Sequence, residues 1–118
     1  GIKRTSVIYS ATGTINTSDA NDKTEIVDIS EAEKRVALLL KSGMKRFKFK
    51  DAVAKKGDDA RFHFGTLAQE VKAAFHTEGL DANKYGLFCS DTWEENGVTK
   101  TRLGVRYDEL FAFIIGAM

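Results

Sequence analysis

Apolar and polar positions follow two different periods along this chain, and the switches between them mark its elements. The β-branched and aromatic run Thr5-Ser6-Val7-Ile8-Tyr9 predicts a strand, with Thr12-Gly13-Thr14 as a turn or bulge after it. A helical period follows. Ala32, Val36, Leu39 and Leu40 fall on one face, Ser30 and Glu33 stand at capping-box spacing before them, and Gly43 is a stop. The pattern then changes to strict alternation in Lys45-Arg46-Phe47-Lys48-Phe49-Lys50, which predicts a half-buried strand with Phe47 and Phe49 on one face and the charges on the other. Gly57-Asp58-Asp59 reads as a turn, and Arg61-Phe62-His63-Phe64 repeats the alternation to complete a hairpin, with His63 toward solvent. A second helix is predicted from Thr66, with Gln69 in the capping-box position, Leu67, Val71, Ala74 and Phe75 on its buried face, and Gly79 at its end. Tyr85 to Trp93 and Val98 to Val105 read as strands about Asn96-Gly97, the strongest short hairpin signal.

A last helix runs from about Tyr107 to Met118. Tyr107, Leu110, Phe111, Ile114, Ile115 and Met118 form one apolar stripe, and Phe113 is apolar on the opposite side. A helix apolar on nearly all sides must be covered on nearly all sides. Either the domain's own core or a subunit interface supplies that cover. The expected fold class is α+β: small antiparallel hairpins that can share one sheet, packed with two helices and the apolar C-terminal helix.

Composition narrows the function. At 118 residues the chain reads as one domain, and its formal net charge of +1 argues against nucleic acid or an anionic membrane as main partner. The single cysteine, Cys89, excludes an intrachain disulfide framework and reads as a small buried residue rather than a nucleophile. His63 and His76 do not have zinc-ligand spacing, so no metal is expected, and no cofactor is read from the sequence. No apolar run is long enough to span a bilayer, and no signal-peptide core follows Gly1–Arg4; a soluble protein made in a reducing compartment fits. Charge is unevenly distributed: residues 1–17 contain no acidic residue, whereas acidic residues are frequent from Asp19 onward. That shift places a boundary near Asn16 to Asp19 and makes the first segment the end of something β-rich that is too short to fold alone.

Three stretches together resemble the intramolecular chaperone family found at the C-termini of phage tailspikes, endosialidases, neck appendages and tail fibres. They are Thr17-Ser18-Asp19-Ala20-Asn21-Asp22-Lys23, then Phe64-Gly65-Thr66-Leu67-Ala68-Gln69-Glu70-Val71, then Leu103 to Ile115 with its tyrosine-led helix. They stand in the family's order. The resemblance implies a homotrimer whose C-terminal helices, through Tyr107, Leu110, Phe111, Phe113, Ile114 and Ile115, meet near a threefold axis. It implies that residues 1–17 end an upstream β-rich fibre segment and that residues 18–118 are the chaperone. It also implies autoproteolysis between Thr17 and Ser18, with Ser18 as nucleophile and Lys23 as its partner, and release of the domain from a tail-fibre or tailspike precursor assembled in the host cytoplasm.

The chemistry can be followed from the residues themselves. A serine hydroxyl needs a base, and a lysine amine can be that base when neutral. Desolvation or a nearby cation favours the neutral amine. Ser18 is adjacent to the carbonyl it would attack, so proximity is built in. Asp19 either orients Lys23 or caps a turn; Gln69 and Glu70 either support the site or cap their own helix. Two other readings stand beside this one. The first is a non-cleaving structural or receptor-binding tip of a trimeric fibre. The second is a nucleic-acid module on the basic and aromatic Lys45–Lys50 strand, which the ordinary half-buried alternation disfavours.

Overall fold

The computed structural model describes residues 7–10, 13–16 and 18–118. The elements run β1 (Val7–Ser10), β2 (Gly13–Asn16), α1 (Glu31–Ser42), β3 (Lys45–Phe47), α2 (Lys50–Lys56), β4 (His63–Gly65), α3 (Ala68–Thr77), β5 (Phe88–Glu95), β6 (Val98–Val105) and α4 (Tyr107–Ala117). The strands form three separate two-stranded antiparallel sheets, β1–β2, β3–β4 and β5–β6. The α+β class is as expected; among the described residues no sheet is shared between hairpins. Of the expected turn or bulge Thr12-Gly13-Thr14, Thr12 lies outside the described residues, and Gly13 and Thr14 begin β2, with Ser10 opposite Gly13.

Helix α1 begins where the sequence marks it. Ser30 is in the β region, its Oγ accepts from the Glu33 N–H at 3.1 Å, and Glu33 Oε1 accepts from the Ser30 N–H at 2.8 Å. The buried face is Val36, Ala37 and Leu40, while Leu39 is 51% exposed. The face turns toward Ala37 because α1 packs against both α3 and α4. Val71, Ala74 and Phe75 of α3 and Leu110 and Ile114 of α4 complete the core, with Ala82, Leu87 and Phe88 at the base of the last hairpin. Fully burying Phe75, Leu110, Val36 and Val71 stabilises the fold by roughly 1.5–3 kcal/mol each.

One long-range polar contact ties α1 to the segment before β5. The Tyr85 hydroxyl donates to Glu33 Oε2 at 2.8 Å, and the Tyr85 ring packs on Phe75 at 4.5 Å between centroids. The Ser30 N–H, then the Tyr85 hydroxyl, hold the Glu33 carboxyl below its ordinary range. Burial, then the bond to Glu33, pushes the Tyr85 phenol up to about 12. One carboxylate thus both caps α1 and fixes the approach to the last hairpin.

Three expectations are corrected. The alternating run stops being a strand at Phe47, and Lys50–Lys56 forms α2, which ends at Gly57 with φ 58°. The helix formers Ala52, Ala54, Lys55 and Lys56 carry it, and the alternation immediately upstream hid their signal. The β3–β4 register pairs Phe47 with His63 and Arg46 with Phe64. His63, although exposed, therefore shares the Phe47 face and stacks on it, with Phe49 at 4.8 Å. Phe62 and Phe64 take the other face and are exposed, with the Arg46 guanidinium 4.1 Å and the Lys48 amine 4.7 Å from the Phe62 ring centroid. Finally, Phe113 is not opposite the buried stripe of α4 but part of it, stacked on Phe75 at 5.9 Å. The inward side is Tyr107, Leu110, Phe113, Ile114 and Ala117, and the outward side is Phe111, Ile115 and Met118.

The last hairpin is built as its sequence demands. Asn96 (φ 53°) and Gly97 (φ 77°) form the two-residue turn, and the register runs unbroken from Glu95↔Val98 to Phe88↔Val105. Only its base touches the core. Every residue from Ser90 to Arg102 is exposed, Trp93 least of the large apolar ones at 36%. An antiparallel sheet ordinarily buries one face, and a lone hairpin is marginal in water.

Candidate autoproteolytic site

Ser18 and Lys23 meet. The Lys23 Nζ lies 2.7 Å from Ser18 Oγ, across five positions of sequence. A single 3-10 turn, Ala20–Asp22, brings them together. Asp19 is its N-cap and its Oδ1 accepts from the Asn21 N–H at 2.9 Å. The turn closes through the Asp22 N–H on the Asp19 carbonyl at 3.0 Å and the Lys23 N–H on the Ala20 carbonyl at 3.2 Å. Thr17, the other side of the expected cleavage site, lies outside the described residues.

The whole segment Ser18–Asp28 is exposed. At its far end Ile29 reaches α4: a Cβ on Gly116 would stand 2.7 Å from Ile29 Cδ1. Beyond the pair the chain carries uncovered apolar surface, with Val27 84% exposed. The arrangement places a hydroxyl beside an amine, both open to water.

The other two motifs meet each other instead. The Tyr107 ring lies over Gly65, where a Cβ would overlap its hydroxyl, and that hydroxyl donates to the Thr66 carbonyl at 3.2 Å. Gly65 and the tyrosine that opens α4 therefore form a clamp between β4 and the C-terminal helix. This is the structural reason for both. Substituting Gly65→Ala forces Tyr107 off its site; unfolding in urea is expected to show about 2–3 kcal/mol of lost stability, and a loss under about 0.5 kcal/mol would contradict the clamp.

Gln69 and Glu70 are placed on different neighbours. Gln69 lines a cleft with Trp93, Glu95 and Lys100–Leu103 of the arm, and Glu70 pairs with Lys45 at 3.9 Å. The expected capping box at Thr66 and Gln69 is not formed. Leu67, not Thr66, is the N-cap of α3, with no side-chain cap; Thr66 is buried, and its Oγ1 has no hydrogen-bond partner among the described residues. His76 stands in the last turn of α3, where the helix dipole suits it. Cys89 is half-buried and unpaired in β5. Among the described residues there is no group of three or more His, Cys, Asp or Glu able to hold a metal ion, and no helix is long and apolar enough to cross a membrane.

The Glu33–Tyr85 tie and the Ile29–Gly116 contact escaped the sequence reading. Each joins residues far apart in the chain, and no local pattern signals them.

The family model described as chaperone of endosialidase, Peptidase_S74, matches residues 18–80. A probable tail spike protein of Klebsiella phage 0507-KN2-1 is 41% identical over 103 residues, covering 86% of this chain and 8% of that protein. The tail spike protein of Escherichia virus K5 is 39% identical over 107 residues, covering 80% of this chain and 17% of that protein. The chain thus spans less than a fifth of either relative. Among solved structures, a novel intramolecular chaperone superposes with a TM-score of 0.75 at 32% identity, over 86% of this chain and 94% of that one. The carboxy-terminal domain of the bacteriophage T5 L-shaped tail fibre with its intramolecular chaperone domain gives 0.72 at 27% identity, over 97% of this chain and 31% of that one.

Proposed function

We propose, from the premise that this chain belongs to the chaperone-of-endosialidase family, that residues 18–118 act as the intramolecular chaperone of a phage tail fibre or tailspike and release themselves by cutting Thr17–Ser18. Residues 1–17 are then the end of the upstream β-rich segment. The β1–β2 hairpin within them and the start of the family match at Ser18 support that division.

The observation that carries the cleavage reading is the 2.7 Å separation of Ser18 Oγ and Lys23 Nζ. In the neutral state the amine takes the hydroxyl proton at that distance. Ser18 Oγ attacks the Thr17 carbonyl carbon, and the bond from that carbon to the Ser18 nitrogen breaks as the nitrogen takes a proton. The Thr17 acyl group is left as an ester on Ser18 Oγ. Water hydrolyses the ester, giving a Thr17 carboxylate and a chain that begins with a free Ser18 amine. The exposure of both groups in the single protomer leaves their desolvation to assembly, since removing water favours the neutral amine.

Assembly is a homotrimer in this reading. The outward α4 residues Phe111, Ile115 and Met118 meet their copies, and the bare β5–β6 arm reaches the upstream fibre segment of the trimer. The product belongs to the virion tail.

Weighing the intact chain beside Ser18→Ala tests cleavage. The expected result is a mass loss equal to residues 1–17 that is absent in the variant. No loss in either chain would instead favour an uncleaved fibre tip of the same fold.

A further inference from the structure

We infer that Asp19 is the positioning residue of the Ser18–Lys23 pair, acting through the turn and not through its charge. The inference rests on the cleavage reading above. Five residues fully extended span about 17 Å, so an open segment holds the amine far from the hydroxyl. What returns Lys23 to Ser18 is the 3-10 turn at Ala20–Asp22. Two of the hydrogen bonds that shape it are main-chain, and the Asp19 carboxylate contributes a side-chain bond, Oδ1 to the Asn21 N–H at 2.9 Å.

The surroundings make that side chain matter. A turn inside a core is held by packing whatever its cap. Here every residue from Ser18 to Asp28 is exposed, so no buried side chain enforces the backbone. Local hydrogen bonds shape it. Aspartate suits the place because its short side chain reaches the N–H two residues on, and because its backbone, at φ −84° and ψ 128°, is in the extended region proper to an N-cap. Asparagine has the same reach and a carbonyl oxygen in the same position, but no charge. The two residues therefore separate a cap from an electrostatic partner of the Lys23 amine.

The pair of variants Asp19→Ala and Asp19→Asn decides the matter in the intact chain. Cleavage is followed by release of residues 1–17, and the Ser18–Lys23 contact by the nuclear Overhauser effect between Lys23 Hε and Ser18 Hβ. Asp19→Ala should slow cleavage about five- to tenfold and weaken the contact, while Asp19→Asn restores the rate to within about twofold. The pH–rate profile of Asp19→Asn should overlay that of the unsubstituted chain. An Asp19→Asn chain as slow as Asp19→Ala, with a displaced profile, would overturn the inference in favour of a charge acting on Lys23. An Asp19→Ala chain cutting at full rate would overturn it too, since the turn would then form without its cap. If neither the unsubstituted chain nor Ser18→Ala is cut, the cleavage reading has failed and the contact alone decides. Its persistence in Asp19→Ala rejects the positioning role, and its loss there with retention in Asp19→Asn sustains it.

Discussion

Lys23→Met leaves the Thr17–Ser18 bond whole, slowing its cleavage by about a thousandfold, the middle of the range for loss of a positioned general base. Methionine keeps most of the side-chain length and removes the amine that stands 2.7 Å from Ser18 Oγ. Lys23→Arg is the sharper companion. Arginine retains a positive charge and several donors, so it could still orient the hydroxyl, but it does not deprotonate and cannot accept the proton. If Lys23 is the base, Lys23→Arg is as inactive as Lys23→Met. If the lysine serves only as a fixed cation, Lys23→Arg recovers a large part of the rate, and the assignment of Lys23 as base is wrong. Lys23 is exposed in the protomer, so neither substitution disturbs the core. The far-ultraviolet circular dichroism of both variants should match that of Ser18→Ala.

Ile115→Asp should prevent trimer assembly while leaving the protomer folded. Ile115 is 70% exposed on α4, so in the isolated protomer a carboxylate there keeps its water. Around a threefold axis the same substitution places three like charges in a desolvated contact, and an uncompensated buried charge is destabilising by about 3–5 kcal/mol at each site. Sedimentation velocity should show a shift from trimer to monomer at concentrations where the unsubstituted chain is fully assembled. Leu110→Ala is the contrast. Leu110 is fully buried among α1, α3 and α4, so its truncation lowers protomer stability by about 2–5 kcal/mol and reports on folding instead of assembly. A trimer that survives Ile115→Asp removes the outward α4 face from the interface and leaves the bare arm and the Ile26–Val27 segment as the surfaces to test. Cleavage measured on the same variant links the two predictions. If assembly desolvates the Ser18–Lys23 pair, a monomeric Ile115→Asp chain is cut slowly although both residues are present.

How much of this was legible in the sequence depends on the reach of each interaction. The Ser30–Glu33 capping box, the Asn96-Gly97 turn and the full span of β6 were readable because each is set by residues a few positions apart. The Ser18–Lys23 pair was reached through the family resemblance, and one capped turn joins its members. Local patterns failed where a residue had two sides to choose between. Alternation correctly put Phe47 with Phe49, but the register of β3 against β4 sent His63 to their face and turned Phe62 and Phe64 outward. Helical spacing marked α4 as apolar all round. Only the packing of Phe75 against Phe113 divided it into an inner side and an outer one. Gly65 and Tyr107 could be named as motif residues, yet their purpose, a clamp across some forty positions, exists only once β4 and α4 are side by side. The sequence by itself thus determined the caps and turns, because their geometry is local. The tertiary structure decided which apolar surfaces the protomer covers and which it leaves bare, because burial depends on neighbours that the chain brings together only by folding.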